Sequence, residues 1–192
     1  MRVIAGKAKG RKLRRVPGET TRPITDRVKE NLFNILGDWV IDTRWLDLFA
    51  GTGQVGIEAL SRGAGTVLLV DTERLAIKTI SQNLEHTGLK GSAQIIKLDA
   101  FRFLHSSHNR PYDVIFVAPP QCKGLWSRVL KVIDEMTDSY LTTRGLVIIQ
   151  IDPREYEDMD LLNLHLTYQR RYGNTMLCFY EGSTPTNNSI VH

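Results

Sequence analysis

The chain predicts an α/β fold: a mostly parallel sheet covered on both faces and finished by an antiparallel pair. Three observations predict it. From Trp45 to Ile151, short continuous apolar runs alternate with stretches of helical periodicity, the pattern of buried parallel strands and crossover helices. A glycine-rich turn, Gly51-Thr52-Gly53-Gln54-Val55-Gly56, joins the first run to the first of those helices, as in sheets that hold a nucleotide at their carboxyl edge. After Ile151 the runs change to alternating apolar and polar residues, the period of an antiparallel pair with one wet face.

Taken in order, residues 2–5 and 11–16 read as short strands bracketed by Gly6 and Gly10, a basic hairpin. Val16-Pro17-Gly18 ends it, and Pro23 keeps Arg22 extended. Thr25 or Asp26 then caps a helix whose apolar face is Val28, Leu32, Ile35, Leu36 and Trp39. Strands are expected at 45–50, 66–71, 93–98, 113–118 and 145–151, with helices at 54–62, 73–87 and 124–139 and a short one near 100–105. The terminal pair is expected at 162–168 and 172–180, with Arg170-Arg171 between them. The division follows: a hairpin extension over 1–24, one domain over 25–181, and a polar, disordered tail over 182–192.

Composition excludes several classes. With 192 residues and 42% hydrophobic content the chain is one ordinary globular domain. No apolar run approaches the ~20 residues that cross a bilayer, and Met1–Arg15 holds no stretch of signal-peptide type. A cytoplasmic, monomeric protein is expected. Cys122 and Cys178 are expected to be reduced packing residues, and no Cys/His spacing suits a metal. Residues 1–30 carry ten basic residues against three acids, whereas the rest of the chain is slightly acidic. A basic arm of that kind suits a polyanion.

The candidate chemistry lies at the strand ends. In Leu46-Asp47-Leu48-Phe49-Ala50-Gly51-Thr52-Gly53, glycines let the backbone turn tightly and approach a ligand. Asp71 ends the next strand, where a carboxylate accepts the ribose hydroxyls of an adenosine. Asp99 ends the third and is expected to take an adenine amino group, with Ala100 offering its N–H. A dinucleotide needs its pyrophosphate on the helix N-terminus. S-adenosylmethionine brings a sulfonium and an ammonium instead, which Asp47 is poised to meet directly or through water. The fourth strand ends in Ala118-Pro119-Pro120-Gln121. Tandem prolines stiffen that loop and leave carbonyls free to accept from an amine.

The chain resembles the RsmD family of small-subunit ribosomal RNA guanine-N2 methyltransferases from Arg2 to about Glu181. The likeness rests on Arg2-Val3-Ile4-Ala5-Gly6 with Gly10-Arg11-Lys12-Leu13, on Arg22-Pro23-Ile24-Thr25-Asp26-Arg27-Val28-Lys29-Glu30-Asn31-Leu32-Phe33, and on Leu46 to Ala64. The resemblance implies a seven-stranded, Rossmann-like methyltransferase sheet with a hairpin extension. It implies S-adenosylmethionine as donor, S-adenosylhomocysteine as product, and a guanine exocyclic amine in 16S ribosomal RNA, free or in an assembling small subunit, as acceptor. Donor contacts would fall on Asp47, Phe49, Gly51, Gly53, Asp71, Asp99 and Ala100, and catalysis on Ala118, Pro119, Pro120 and Gln121. The RNA would meet Arg2, Lys7, Lys9, Arg11, Lys12, Arg14 and Arg15, with Arg22, Thr25 and Arg27 lining the cleft.

One departure stands out. The family's fourth-strand motif is [DN]-P-P-[YF], and here both flanking residues are replaced, by Ala118 and Gln121. The lost side chains accept from the target amine and stack on the flipped base. Gln121 is one replacement contact, and Trp126 or Tyr172 one replacement stacking face. Three rival readings follow: an inactive RNA-binding relative, a pyrimidine-C5 enzyme with Cys122 as nucleophile, and a nicotinamide oxidoreductase on the same glycine loop.

Overall fold

The computed structural model describes residues 1–18, 23–106 and 110–182. The expectations for Arg22 as a cleft residue and for a disordered tail, beyond Gly182 itself, therefore lie outside the described residues. Among those described, seven strands form one sheet: β1 (Arg44–Leu48), β2 (Thr66–Asp71), β3 (Ala93–Lys97), β4 (Tyr112–Val117), β5 (Leu141–Ile151), β6 (Leu164–Tyr172) and β7 (Thr175–Gly182). Their order is β3-β2-β1-β4-β5-β7-β6. The first five are parallel, and β7 runs antiparallel to both β5 and β6. The order reverses between β1 and β4, and such a switch point opens a crevice at the carboxyl edge.

Helices α1 (Asp26–Leu36), α2 (Gln54–Ser61) and α3 (Arg74–Thr87) cover one face, while α4 (Ala100–Leu104), α5 (Leu125–Glu135) and α6 (Thr137–Tyr140) cover the other. Strand residues alternate between the two cores: Trp45, Val114, Phe116 and Ile148 face the first, and Leu46, Leu48, Ile115 and Val117 the second. Burial on both sides is why these runs are apolar without a break. Thr25 caps α1, its Oγ1 accepting from the Val28 N–H at 3.3 Å. Val28, Leu32, Phe33 and Leu36 form the buried face, and Ile35 and Trp39 are half-buried because the helix ends at Leu36 and tightens into a 3-10 turn.

Two elements differ from expectation. The predicted helix over 124–139 is broken at Met136, which has φ −125°. Beyond the break, Thr137 Oγ1 donates back to the carbonyls of Ile133 and Asp134, one way a hydroxyl competes with the helical ladder. Arg170 and Arg171 belong to β6 rather than to a turn. The reversal is made by Gly173 and Asn174, with Gly173 at φ 60° supplying the left-handed residue of a two-residue hairpin.

The N-terminal segment departs furthest. Its two halves do pair antiparallel, but only through the Arg2–Lys12 bridge and a few backbone bonds. The N–H groups of Ile4 and Ala5 go instead to the Glu58 carboxylate of α2, at 2.8 and 3.0 Å. Ser61 accepts from Lys7 through its carbonyl and from Ala8 through its hydroxyl, at 2.7 and 2.9 Å. Gly6 passes so near that a Cβ there would lie 1.8 Å from the Ser61 carbonyl oxygen. Val3, Ala8 and Leu13 are buried in the same core as α1 and α2. The segment is thus docked on the domain, with Arg2, Lys7, Lys9, Arg11, Lys12, Arg14 and Arg15 left exposed.

Under it lies an ion pair with both side chains fully buried, Lys29 Nζ to Glu58 Oε2 at 3.3 Å. Burial pushes the Lys29 pKa down, and the facing carboxylate opposes that. Lys29 Nζ also donates to the Arg2 carbonyl at 2.6 Å, and Arg62 Nε to Glu58 Oε1 at 2.8 Å. Breaking a pair of this kind costs about 3–5 kcal/mol. Glu58→Ala should therefore lower stability by that amount in denaturant melts and expose Lys7–Arg15 to trypsin in the folded state. The double change Lys29→Met/Glu58→Leu should recover much of the stability while the segment stays protease-sensitive.

Candidate active site at the carboxyl edge

The site begins where β1 ends. Phe49 has φ 61°, a left-handed conformation that costs a residue with a Cβ about 1–2 kcal/mol. The turn it makes lets Ala50 N–H reach the Val70 carbonyl at 3.0 Å and Gly51 N–H reach Asp71 Oδ2 at 2.8 Å. Gly53 follows with φ 73° as the N-cap of α2, a geometry glycine adopts without steric cost. Asp71 Oδ1 accepts from Glu73 N–H at 2.9 Å. Both of its oxygens are thereby oriented, and a carboxylate retains further lone pairs for a ligand.

Asp99 caps α4: its Oδ1 accepts from Phe101 and Arg102, each at 3.0 Å. The second carboxylate oxygen and the Ala100 N–H are outside that cap. Asp47 is placed differently from expectation. It is 2% exposed, beneath the loop, with Oδ2 accepting from the Gly56 N–H at 3.1 Å. Burial pushes its carboxyl up to about 7, the Gly56 bond opposes this, and the nearby Asp71 charge adds to it. Asp47 therefore shapes the turn from below and does not line the surface of the cleft.

On the other side of the switch point, Ala118 follows β4 and its N–H points to the Leu48 carbonyl at 3.4 Å. Ala118 and Pro120 are half-buried, Pro119 is buried and Gln121 is exposed. Cys122 has φ 59° and is exposed, so it is not the packing residue expected; Cys178 is, and burial holds its thiol up at about 12. Trp126 is 1% exposed and stacked on Tyr156 at 6.4 Å, which removes it as a face for a substrate base. Tyr172 is half-buried at the end of β6. Three strand spacings separate β6 from β4, about 14 Å, too far for its ring to cover a base over Ala118.

Thr25 spends its hydroxyl on the α1 cap, whereas Arg27 is exposed. Sequence reasoning missed a tie between arm and loop. Asn83 of α3 donates through Nδ2 to the carbonyls of Arg14 and Thr52 at 3.1 and 2.9 Å, and its Oδ1 accepts from Arg14 N–H at 2.8 Å. Also missed was the cationic rim at the far end of the same edge. Arg170 and Arg171 are exposed there, and Arg154 is paired with Asp152 at 2.7 Å. An open cavity of about 400 Å³, lined by Arg44, Thr66, Asp113 and Thr142 among others, lies at the opposite, amino edge.

The family model described as Conserved hypothetical protein 95 matches residues 1–181. An Escherichia coli (strain K12) protein named "Ribosomal RNA small subunit methyltransferase D" is 34% identical over 150 residues, covering 78% of this chain and 74% of its own length. The chain belongs to this RsmD family. It is therefore an S-adenosylmethionine-dependent methyltransferase, and its nicotinamide reading falls. A Bacillus subtilis (strain 168) relative named "Putative rRNA methyltransferase YlbH" is 40% identical over 184 residues, 94% of this chain and 98% of its own length. The solved structure "Putative methyltransferase yhhF from Escherichia coli" superimposes with a TM-score of 0.83 at 31% identity, covering 95% of this chain and 97% of that one. The fold expected of an RsmD-type sheet, seven strands ending in an antiparallel pair, is the fold observed.

The buried Asp47 makes a pH prediction. Its folded pKa of about 7 lies above the unfolded value of 3.8, so the folded state binds the extra proton. Its contribution to stability is greatest below about pH 4, declines as pH rises through 7, and is then constant. Removing the ionisable group removes that decline. The melting temperature of Asp47→Asn relative to the wild-type protein should climb between pH 4 and 7, by the equivalent of a few kcal/mol. A constant difference over that window would mean that Asp47 ionises as an ordinary carboxylate.

Proposed function

We propose that this enzyme transfers a methyl group from S-adenosylmethionine to the exocyclic N2 amine of a guanine in small-subunit ribosomal RNA. The observation that carries the reading is the division of one sheet edge. Oriented carboxylates and glycines end β1, β2 and β3, a proline-stiffened loop of carbonyls ends β4, and exposed cations lie on the docked N-terminal segment and at the end of β6. In support, one relative is named a small-subunit ribosomal RNA methyltransferase and another a putative rRNA methyltransferase, and both match this chain over most of its length.

In this reading the donor lies across β1–β3. Asp71 takes the ribose hydroxyls with oxygens already aimed by Gly51 and Glu73. Asp99 and the Ala100 N–H take the adenine edge. Phe49, Gly51 and Gly53 form the surface beneath the donor, and Asp47 holds that surface through Gly56. The group bound there supplies an electrophilic methyl on a sulfonium, which becomes a neutral thioether when the methyl moves to nitrogen. The residues of the β4 loop do the rest. Pro119 and Pro120 carry no N–H, so the carbonyls at 118–120 present only acceptors to an amine. Held that way, the amine directs its lone pair at the methyl group, and positioning in line is a large part of the barrier reduction. The proton leaves after transfer, when the nitrogen is acidic, to water or a carbonyl.

The exposed cations of the docked segment, Arg2 to Arg15, with Arg27, would contact phosphates. Such contacts position RNA without reading sequence.

The test is methyl transfer from labelled S-adenosylmethionine to small-subunit RNA and partly assembled subunits that lack the modification, followed by digestion to nucleosides. The expected product is N2-methylguanosine. Asp71→Ala should abolish it while the RNA still binds. Label in 5-methylcytidine that disappears in Cys122→Ser would establish the cysteine mechanism instead. Binding of both donor and RNA without transfer would identify an inactive relative.

A further inference from the structure

Position 118 lacks the acid or amide expected there, so the target amine needs another acceptor. The register of the sheet points to one. Val117 of β4 pairs with Ile149 of β5, and one residue further Ala118 lies beside Gln150. Both face the same core: Phe116 and Ile148 of the preceding row lie there, and Ala118 packs against it. Gln150 is the penultimate residue of β5, at the carboxyl edge. Its side chain is buried, with 8% exposure, and its Oε1 is shielded from solvent with no hydrogen-bond partner. A buried acceptor left unpaired in the apolar run 146–151 calls for an explanation in its own right.

We propose that the side-chain amide of Gln150 is the hydrogen-bond acceptor for the target amine, in place of the missing side chain at 118. It starts one strand spacing away, about 5 Å, and carries one more methylene than an aspartate. A half-turn about its last bond exchanges the oxygen and nitrogen ends, so the carbonyl can turn out to the amine. It lies on the β4–β5 side of the switch point, across from Asp71 and Asp99. The β4 loop carbonyls then complete a ring of acceptors around the nitrogen. This inference rests on the reading of the acceptor as an exocyclic amine.

Gln150→Leu keeps the bulk and removes the acceptor. The expected result is a fall in kcat of about 100-fold or more, with unchanged S-adenosylmethionine affinity and a melting temperature equal to or above that of the wild type, since the change removes a buried unpaired amide. Adding Ala118→Asp to that variant should restore turnover, which a packing defect at 150 would not allow. If Gln150→Leu does not fold, the comparison passes to Gln150→Glu, which keeps an acceptor, and Gln150→Met, which does not. The former should turn over and the latter should not. Full activity in Gln150→Leu, or equal activity in the Glu and Met variants, overturns the proposal alone. No methyl transfer by the wild-type protein sinks the functional reading and this proposal with it.

Discussion

The buried pair of Lys29 and Glu58 holds the rest of the site in place. Neither charge is tolerable alone in that interior. Glu58 is satisfied by four donors, the N–H groups of Ile4 and Ala5 and the cations of Lys29 and Arg62. Two of them come from the N-terminal segment, so the segment is needed to neutralise the interior it covers. Glu58 sits on the helix that opens with the glycine loop, and Lys29 on the helix that follows Thr25. The docked segment, the start of α1 and the glycine turn are thereby parts of one packed unit. Asn83 adds a second tie by bonding Arg14 and the Thr52 carbonyl from a single amide. A single side chain thus joins the end of the segment to the glycine loop.

Charge is sorted along the carboxyl edge. Acids gather at the ends of β1 to β3, where an adenosine and a sulfonium would lie. Cations are exposed at Arg154, Arg170 and Arg171 past β5 and β6, and on the docked segment, whose two ends meet the glycine loop near Thr52 while its Gly6–Arg11 tip packs at the far ends of α2 and α3. Asp152 is kept well below the ordinary carboxylate range, at about 2, mainly by its hydrogen bonds from Arg154. In the β4 loop Pro119 and Pro120 lack N–H donors, and Lys123 adds an exposed cation a few residues on.

What could be read in the sequence was what depends on local pattern. The parallel strands were visible because burial on two faces demands unbroken apolar runs, and the turn after β1 because its glycines are required by backbone geometry. The positions of Asp71 and Asp99, at the end of β2 and just past β3, were legible in the pattern of strands. Contacts distant in sequence were not. Lys29 is one of the ten basic residues of 1–30, which as a group suit a polyanion; only its position on the apolar face of α1 hinted at burial. Glu58 and Asn83 are ordinary helix residues until their partners at Ile4, Ala5 and Arg14 are known. Arg170 and Arg171 drew the turn too early, because the Gly173-Asn174 signal two residues later was passed over. Gln150 reads as a polar interruption in β5, and its meaning appears only when the register sets it beside Ala118.

The most direct test is a crystal structure of the protein with S-adenosylhomocysteine and a short RNA carrying the target guanine. The account predicts the adenosine on Asp71 and Asp99, the guanine N2 facing the β4 loop, and the Gln150 amide oxygen within hydrogen-bond distance of that amine. A guanine bound away from the β1–β4 switch point, or an amine met by neither Gln150 nor the carbonyls at 118–120, would contradict it.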